Sequence, residues 1–224
     1  MRVPGAIQAL KLECGLVSAT ALTLSEEAFA RPTRCSAWNV KELVAHMHRD
    51  IERIVVSMAM EVAGQPEVDA VTYWRSYDPV GDASSIADRA KARADSYRTG
   101  LEVAIVWDDL WRHALDLAEG EAPSRLFPTW GPVMTLEEFL KTRVIEITVH
   151  GMDLADALQR DPWPTAEGLD ITTEILQGIL GVEPPAELGW GPMTFVEKGT
   201  GRQPLSEPEI RTFGPLASRF PLLA

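Results

Sequence analysis

The chain has 224 residues, 46% hydrophobic and 24% charged, with 21 Lys and Arg against 33 Asp and Glu and a formal net charge of −12. That is the make-up of one globular domain, or of one domain with a small appendage. The acid excess argues against a nucleic-acid partner, since phosphate binding needs a basic face, and the apolar runs are broken too often for a membrane span.

Taken in chain order, "MRVPGAIQALKLECGLVSAT" acquires Lys11 and Glu13 too early for a secretory signal, so a cytoplasmic protein is expected. Two cysteines, Cys14 and Cys35, are too few for a disulfide framework; they read as small core or loop residues in a reducing compartment. A first helix is predicted over residues 5–30, with apolar positions at Ala6, Leu10, Leu16, Val17, Ala21 and Leu24. After the loop "RPTRCSAWNV", Ser36 reads as the N-cap of a second helix starting near Ala37. That helix carries Val40, Leu43, Val44, Met47, Ile51, Ile54 and Val55 at spacings of three and four, a core-facing stripe. Residues 64–84 read as a long irregular connection with aromatic anchors.

Ser84 or Ser85 is a candidate cap for a third helix reaching Leu117 and ending at Gly120. A Pro- and Gly-rich loop follows, and Thr135 with Glu138 forms a capping-box pattern for a fourth helix that runs to about Arg160 and stops at "DPWP". Beyond it, one further helix is predicted in "TAEGLDITTEILQGILG", a strand in "MTFVEKGTGR", and a docked apolar tail in "RFPLLA". The fold class predicted is mainly α: an antiparallel four-helix bundle over residues 1–160, with residues 161–224 forming a small α+β appendage.

The chemistry-bearing residues concentrate on two helices. In "RVIEITVHGMDLADALQR", Glu146 and His150 are four apart and therefore share a face, with Asp153 one turn further on and Arg143 on the same stripe. This is either a wet face with an incidental ion pair or part of a metal site facing the bundle interior. The second helix holds "LVAHMHRD", where His46 and His48 differ by about 200° and cannot face one metal together. His46 follows the apolar side, whereas His48 sits with Arg49 and Lys41 and is predicted to be solvent-facing. One His from one helix and Glu-x-x-x-His from another would give an N, N, O set suited to zinc or a similar divalent ion, with a position left for water or substrate. Asp153 would then orient His150 or stand at the site mouth. His113 is a weaker candidate, and no serine-nucleophile elbow or P-loop pattern is present.

"TRCSAWNVKELVAHM" resembles the small-Pro-Cys-Pro-Gly-Trp-Thr-Val-x-Asp-Leu-Val-x-His sequence that opens the second helix of the maleylpyruvate isomerase N-terminal family, within the DinB-like superfamily. "RVIEITVHGMDLADAL" is similar to that family's second motif, and "FVEKGTGRQPLSEPE…RFPLLA" resembles the C-terminal tails of some members. The resemblance implies a DinB-like bundle, with His46, Glu146 and His150 as Zn2+ ligands and mycothiol or a related thiol as cosubstrate. It implies an enzyme: an isomerase or S-transferase acting on a small electrophilic, carboxylate-bearing substrate. The alternative is a non-catalytic bundle that binds metal or a regulatory partner. An arginine near the site is expected to hold the substrate carboxylate, and Arg202 is the first choice, with Arg219 behind it. The sequence departs from the family pattern in lacking both prolines and the glycine before Trp38. Residues after Thr165 are also fewer than in a full isomerase C-terminal domain, so a substrate other than maleylpyruvate is expected. A homodimer is left open.

Overall fold

The computed structural model describes residues 5–35, 38–76 and 79–223, the side chains of 79–84 excepted. The protein is mainly helical with one small two-stranded sheet. Its helices are α1 (Ala6–Ala21), α2 (Glu26–Phe29), α3 (Val40–Met58), α4 (Ala70–Arg75), α5 (Pro79–Asp95) and α6 (Gly100–Glu119). The hairpin strands β1 (Leu126–Pro128) and β2 (Val133–Thr135) follow, paired antiparallel with Phe127 opposite Met134. Then come α7 (Leu136–Ala157), α8 (Ala166–Leu180), α9 (Pro192–Gly199) and α10 (Glu207–Phe213).

Four long helices make the centre. α1 packs against α6 and α7, and α3 packs against the same two, so each touches two of the others around a shared apolar interior. Leu10, Leu43, Met47, Ile51, Trp107, Leu115, Phe139 and Ile147 are wholly buried there. α8 then docks on α1, α4 and α7, and α9 docks on α8. The tail folds back so that the Leu222 and Leu223 amides donate to the Gly199 carbonyl. No helix among the described residues is long and apolar enough to cross a membrane.

Several helix boundaries differ from the sequence reading, each for a local reason. α3 begins at Val40 because Asn39 caps it: its side chain accepts from the Glu42 amide at 2.9 Å while Glu42 accepts from the Asn39 amide at 2.7 Å. Ser36, the cap expected from the sequence, lies outside the described residues. The first helix stops at Ala21, and Ser25 starts α2 as a separate single turn. The long third helix is two helices. Ser84 and Ser85 fall inside α5, the chain turns over 96–99, and Thr99 caps α6. Glu26 of α2 accepts from the Gly100 and Leu101 amides, placing a carboxylate on the positive end of α6. A Cβ at Gly100 would lie 2.1 Å from the Phe29 ring, so only glycine permits this crossing.

The connection 64–84 contains α4, capped by Asp69, and the loop after α6 contains the hairpin. The strand expected in 193–202 is helix α9: Pro192 occupies its first turn, and Phe195 and Val196 are buried on the side facing α8. Thr135 caps α7 as expected, but the Glu138 carboxylate accepts from the Ala70 amide and so ties α4 to α7.

Candidate metal centre

α3 and α7 pack against each other, and the polar stripe of each helix faces the other. On α7 the stripe is Arg143, Glu146, His150 and Asp153; on α3 it is His46 and Asp50, again four apart. His46 Nε2 lies 3.7 Å from Glu146 Oε2, and His150 Nε2 lies 3.4 Å from the same oxygen. Both imidazoles are buried, and their rings meet edge to face with centroids 4.9 Å apart. Trp38 closes one side, stacked on His46 at 4.5 Å and edge-on to His150 at 5.9 Å.

The donor set fits a divalent ion. A tetrahedral ion with bonds of about 2.0–2.1 Å to N and O needs ligand atoms about 3.3–3.4 Å apart. The two measured edges, 3.4 and 3.7 Å, approach that value, and all three donor atoms lie within 4.8 Å of one another.

Around these three side chains the structure adds partners. Asp153, fully buried, accepts at Oδ2 from His150 Nδ1 at 2.9 Å, which fixes the imidazole so that Nε2 faces Glu146 and His46. Asp153 also accepts from Arg34 Nε at 2.6 Å, from Arg202 Nη2 at 2.8 Å and Nε at 3.1 Å, and from the Cys35 thiol at 3.1 Å. On α3, Asp50 Oδ1 accepts from Arg143 Nη1 at 2.9 Å, while Oδ2 lies 3.2 Å from His46 Nε2 without hydrogen-bond alignment.

The ionisation of the cluster follows from these contacts. Burial disfavours the charged form of Glu146, but hydrogen bonds from His150 and His46 and the charge of Arg143 hold its carboxyl well below the usual range. Burial likewise opposes protonation of His150, yet Asp153, Cys35 and Glu146 together raise it well above the ordinary histidine value. Asp153, also opposed by burial, is held down by His150 and Arg202. The centre thus holds the Glu146 and Asp153 carboxylates charged next to a protonated His150 imidazole.

Cys35, His150 and Asp153 form a second group of potential ligands. It is the poorer one for a cation, because Arg34 and Arg202 already neutralise Asp153. Arg202 is at the site, with its guanidinium engaged by Asp153 and by the Thr200 carbonyl. Arg219 is not: it donates to the Ile179 and Leu180 carbonyls at the C-terminal end of α8. His48 is buried and not solvent-facing, because α5 covers that side of α3. Burial first, and Arg93 next, push its imidazole down to about 4. His113 is exposed on α6. Sequence reasoning missed Arg34, Cys35, Trp38 and Asp50 as neighbours of the cluster. Of these only Asp50, at i+4 from His46, carried a spacing signal.

A helical protein whose core admits a two-histidine, one-carboxylate cluster belongs to a class that builds candidate metal centres between facing helices. The chain belongs to the mycothiol maleylpyruvate isomerase N-terminal domain family, whose model matches residues 10–155. That span takes in His46, Glu146 and His150 and ends before Arg202. Comparison with curated proteins and with solved structures finds no match.

Proposed function

We propose that residues 1–160 form a DinB-like antiparallel four-helix bundle, with residues 161–224 as a smaller appendage, and that the protein is a zinc-dependent, thiol-using isomerase or S-transferase. In this reading His46, Glu146 and His150 hold the metal, mycothiol or a related thiol is the cosubstrate, and the second substrate is a small electrophile bearing a carboxylate. The observation that carries it is the convergence of three donor atoms at 3.4 and 3.7 Å edges with Asp153 behind His150. When bound, a divalent ion there supplies positive charge that favours thiolate over thiol at neutral pH.

The chain's own residues do the rest. Asp153 keeps the His150 ring oriented, and Trp38 shields the two imidazoles on one side. Arg202 holds its guanidinium beside Cys35, where its remaining N–H groups would meet a substrate carboxylate. For cis–trans isomerisation, the thiolate's electron pair forms a C–S bond while the alkene pair moves onto the conjugated carbonyl oxygen. The resulting single bond rotates, and return of that pair reforms the alkene and expels the thiolate. For S-transfer, the same C–S bond forms as a leaving group departs with its pair.

Metal analysis of the purified protein tests the reading. The expected result is close to one zinc per chain, lost in both His46→Ala and His150→Ala, and a cobalt-substituted protein whose visible spectrum changes when mycothiol is added. Metal-free preparations with unchanged stability in both variants overturn the metal assignment. A loaded protein whose cobalt spectrum ignores mycothiol and simpler thiols favours the non-catalytic bundle.

A further inference from the structure

The face of α3 that carries His46 continues to Arg49 and Arg53, one and two turns on. Their guanidinium carbons lie 5.3 Å from the centroid of the Trp130 ring, and that of Arg143 lies 5.5 Å away. Trp130, in the turn between β1 and β2, is 48% exposed. Three cations thus gather on one half-open aromatic ring, in a chain with a net charge of −12.

Their partners differ. Arg143 is neutralised by Asp50, and Arg53 donates to the Pro128 and Thr129 carbonyls while its Nε stays buried without a partner. Arg49 has no hydrogen bond or carboxylate partner among the described residues; only the Trp130 ring faces it. Burial, and then the nearby charges of Arg89, Arg143 and Arg93, work against its positive charge, with Asp50 opposing them. Arg93 already has Glu52. Like charges crowded around an unpaired guanidinium raise the free energy of the empty protein, and a bound anion relieves that cost.

We infer that Arg49 and Arg53, backed by Trp130, form a carboxylate-recognition subsite that fixes one end of a small dicarboxylate on the face of α3 that carries His46. His46 and Arg49 are three residues apart and His46 and Arg53 seven, about 4.5 and 10.5 Å of rise along α3. A carboxylate held between the two arginines sits about 7.5 Å of rise from His46, so the body of the acid extends along α3 toward the His46–Glu146–His150 cluster. Asp50, between His46 and Arg53 on α3, is paired with Arg143 of α7. The inference rests on the proposed function only for what the bound acid does next, since anion binding by Arg49 needs no metal.

The test is run on metal-stripped protein, so that its failure and failure of the metal assignment are distinguishable. Titration calorimetry and tryptophan emission are followed with succinate, with neutral succinamide of the same skeleton, and with inorganic phosphate. Succinate should bind and alter the emission, succinamide should not, and Arg49→Gln should weaken succinate at least about tenfold. Arg211→Gln, a charge change at an exposed position on α10, should not. Trp130→Phe should remove most of the emission change while calorimetry still detects binding. Unfolding midpoints of the variants matched to the parent protein exclude misfolding as the cause. No succinate binding, equal binding by Arg49→Gln, equal binding of succinamide, or tighter binding of phosphate than of succinate each overturns the assignment.

Discussion

Replacing Asp153 by asparagine removes one negative charge and almost no volume, and four side chains feel the loss. In the protein this fully buried carboxylate accepts from His150, Arg34, Arg202 and Cys35 at 2.6–3.1 Å. A hydrogen bond to a charged group contributes about 1.5–3 kcal/mol, and links that share one carboxylate do not add. Removing one partner of a buried ion pair costs about 3–5 kcal/mol. Asparagine keeps one acceptor oxygen for a single guanidinium, so the expected loss is about 3 kcal/mol, the lower end of that range. Because Asp153 also orients His150, metal affinity should fall about 10–100-fold. Urea unfolding of stripped protein measures the first quantity, and competition against a chromophoric chelator measures the second. Asp153→Asn within about 0.5 kcal/mol of the parent, with unchanged metal affinity, would refute the reasoning at both points.

Three other outcomes follow from burial and packing. Glu13 is buried beneath the start of α8, and burial raises its carboxyl although Thr165 donates to it twice at 2.7 Å. The folded state therefore keeps this proton at pH values where the unfolded chain, near 4.5, has released it. Its contribution to stability is complete below that pH and is lost as pH rises through the folded value, so Glu13→Gln should show a smaller fall of urea midpoint as pH rises above 4.5. An identical pH profile in the variant refutes this. Gly168→Ala would put a methyl 2.2 Å from Glu13 Oε1 and 2.7 Å from Thr148 Oγ1, an overpacking worth about 1–3 kcal/mol in thermal or urea unfolding. Gly131→Ala, which meets nothing within 4 Å, should stay within about 0.5 kcal/mol, and equal losses in the two variants would refute the packing argument. With an aromatic disulfide reagent, Cys35 should react in the folded protein. Cys14, wholly buried and pushed up by burial and by Glu13, should react only on unfolding. Two equally fast thiols would count against the burial assigned to α1.

Long periodic segments were readable because their apolar spacing is a local property of the chain. α7 and α8 start where Thr135 and Thr165 announce them, and α3 differs from its expected start by a few residues. What the spacing could not convey was the company each face keeps. His48 sits among Lys41 and Arg49 in sequence, yet it is buried because α5, some forty residues later, lies over it. The break at 96–99 is set by the fit of Gly100 over Phe29, a contact no local pattern records. At the cluster, helical spacing alone paired Glu146 with His150. Arg34, Cys35 and Trp38 reach it from a loop, where periodicity carries no information. The short helix α9 was mistaken for a strand because Phe195 and Val196 favour strands locally, while Pro192 and the apolar surface of α8 favour a helix.

The bond between Arg202 and Asp153 spans 49 residues, which has a temporal side. Synthesis proceeds at about 5–20 residues per second, so roughly 2–10 s separate the making of the two partners. During that interval α7 exists with its acidic residue lacking one of the two guanidiniums that will hold it. In the proposed reading the segment carrying Arg202 latches a centre whose other residues are already made, so a chain stalled before Arg202 should exchange a bound ion faster than the finished protein.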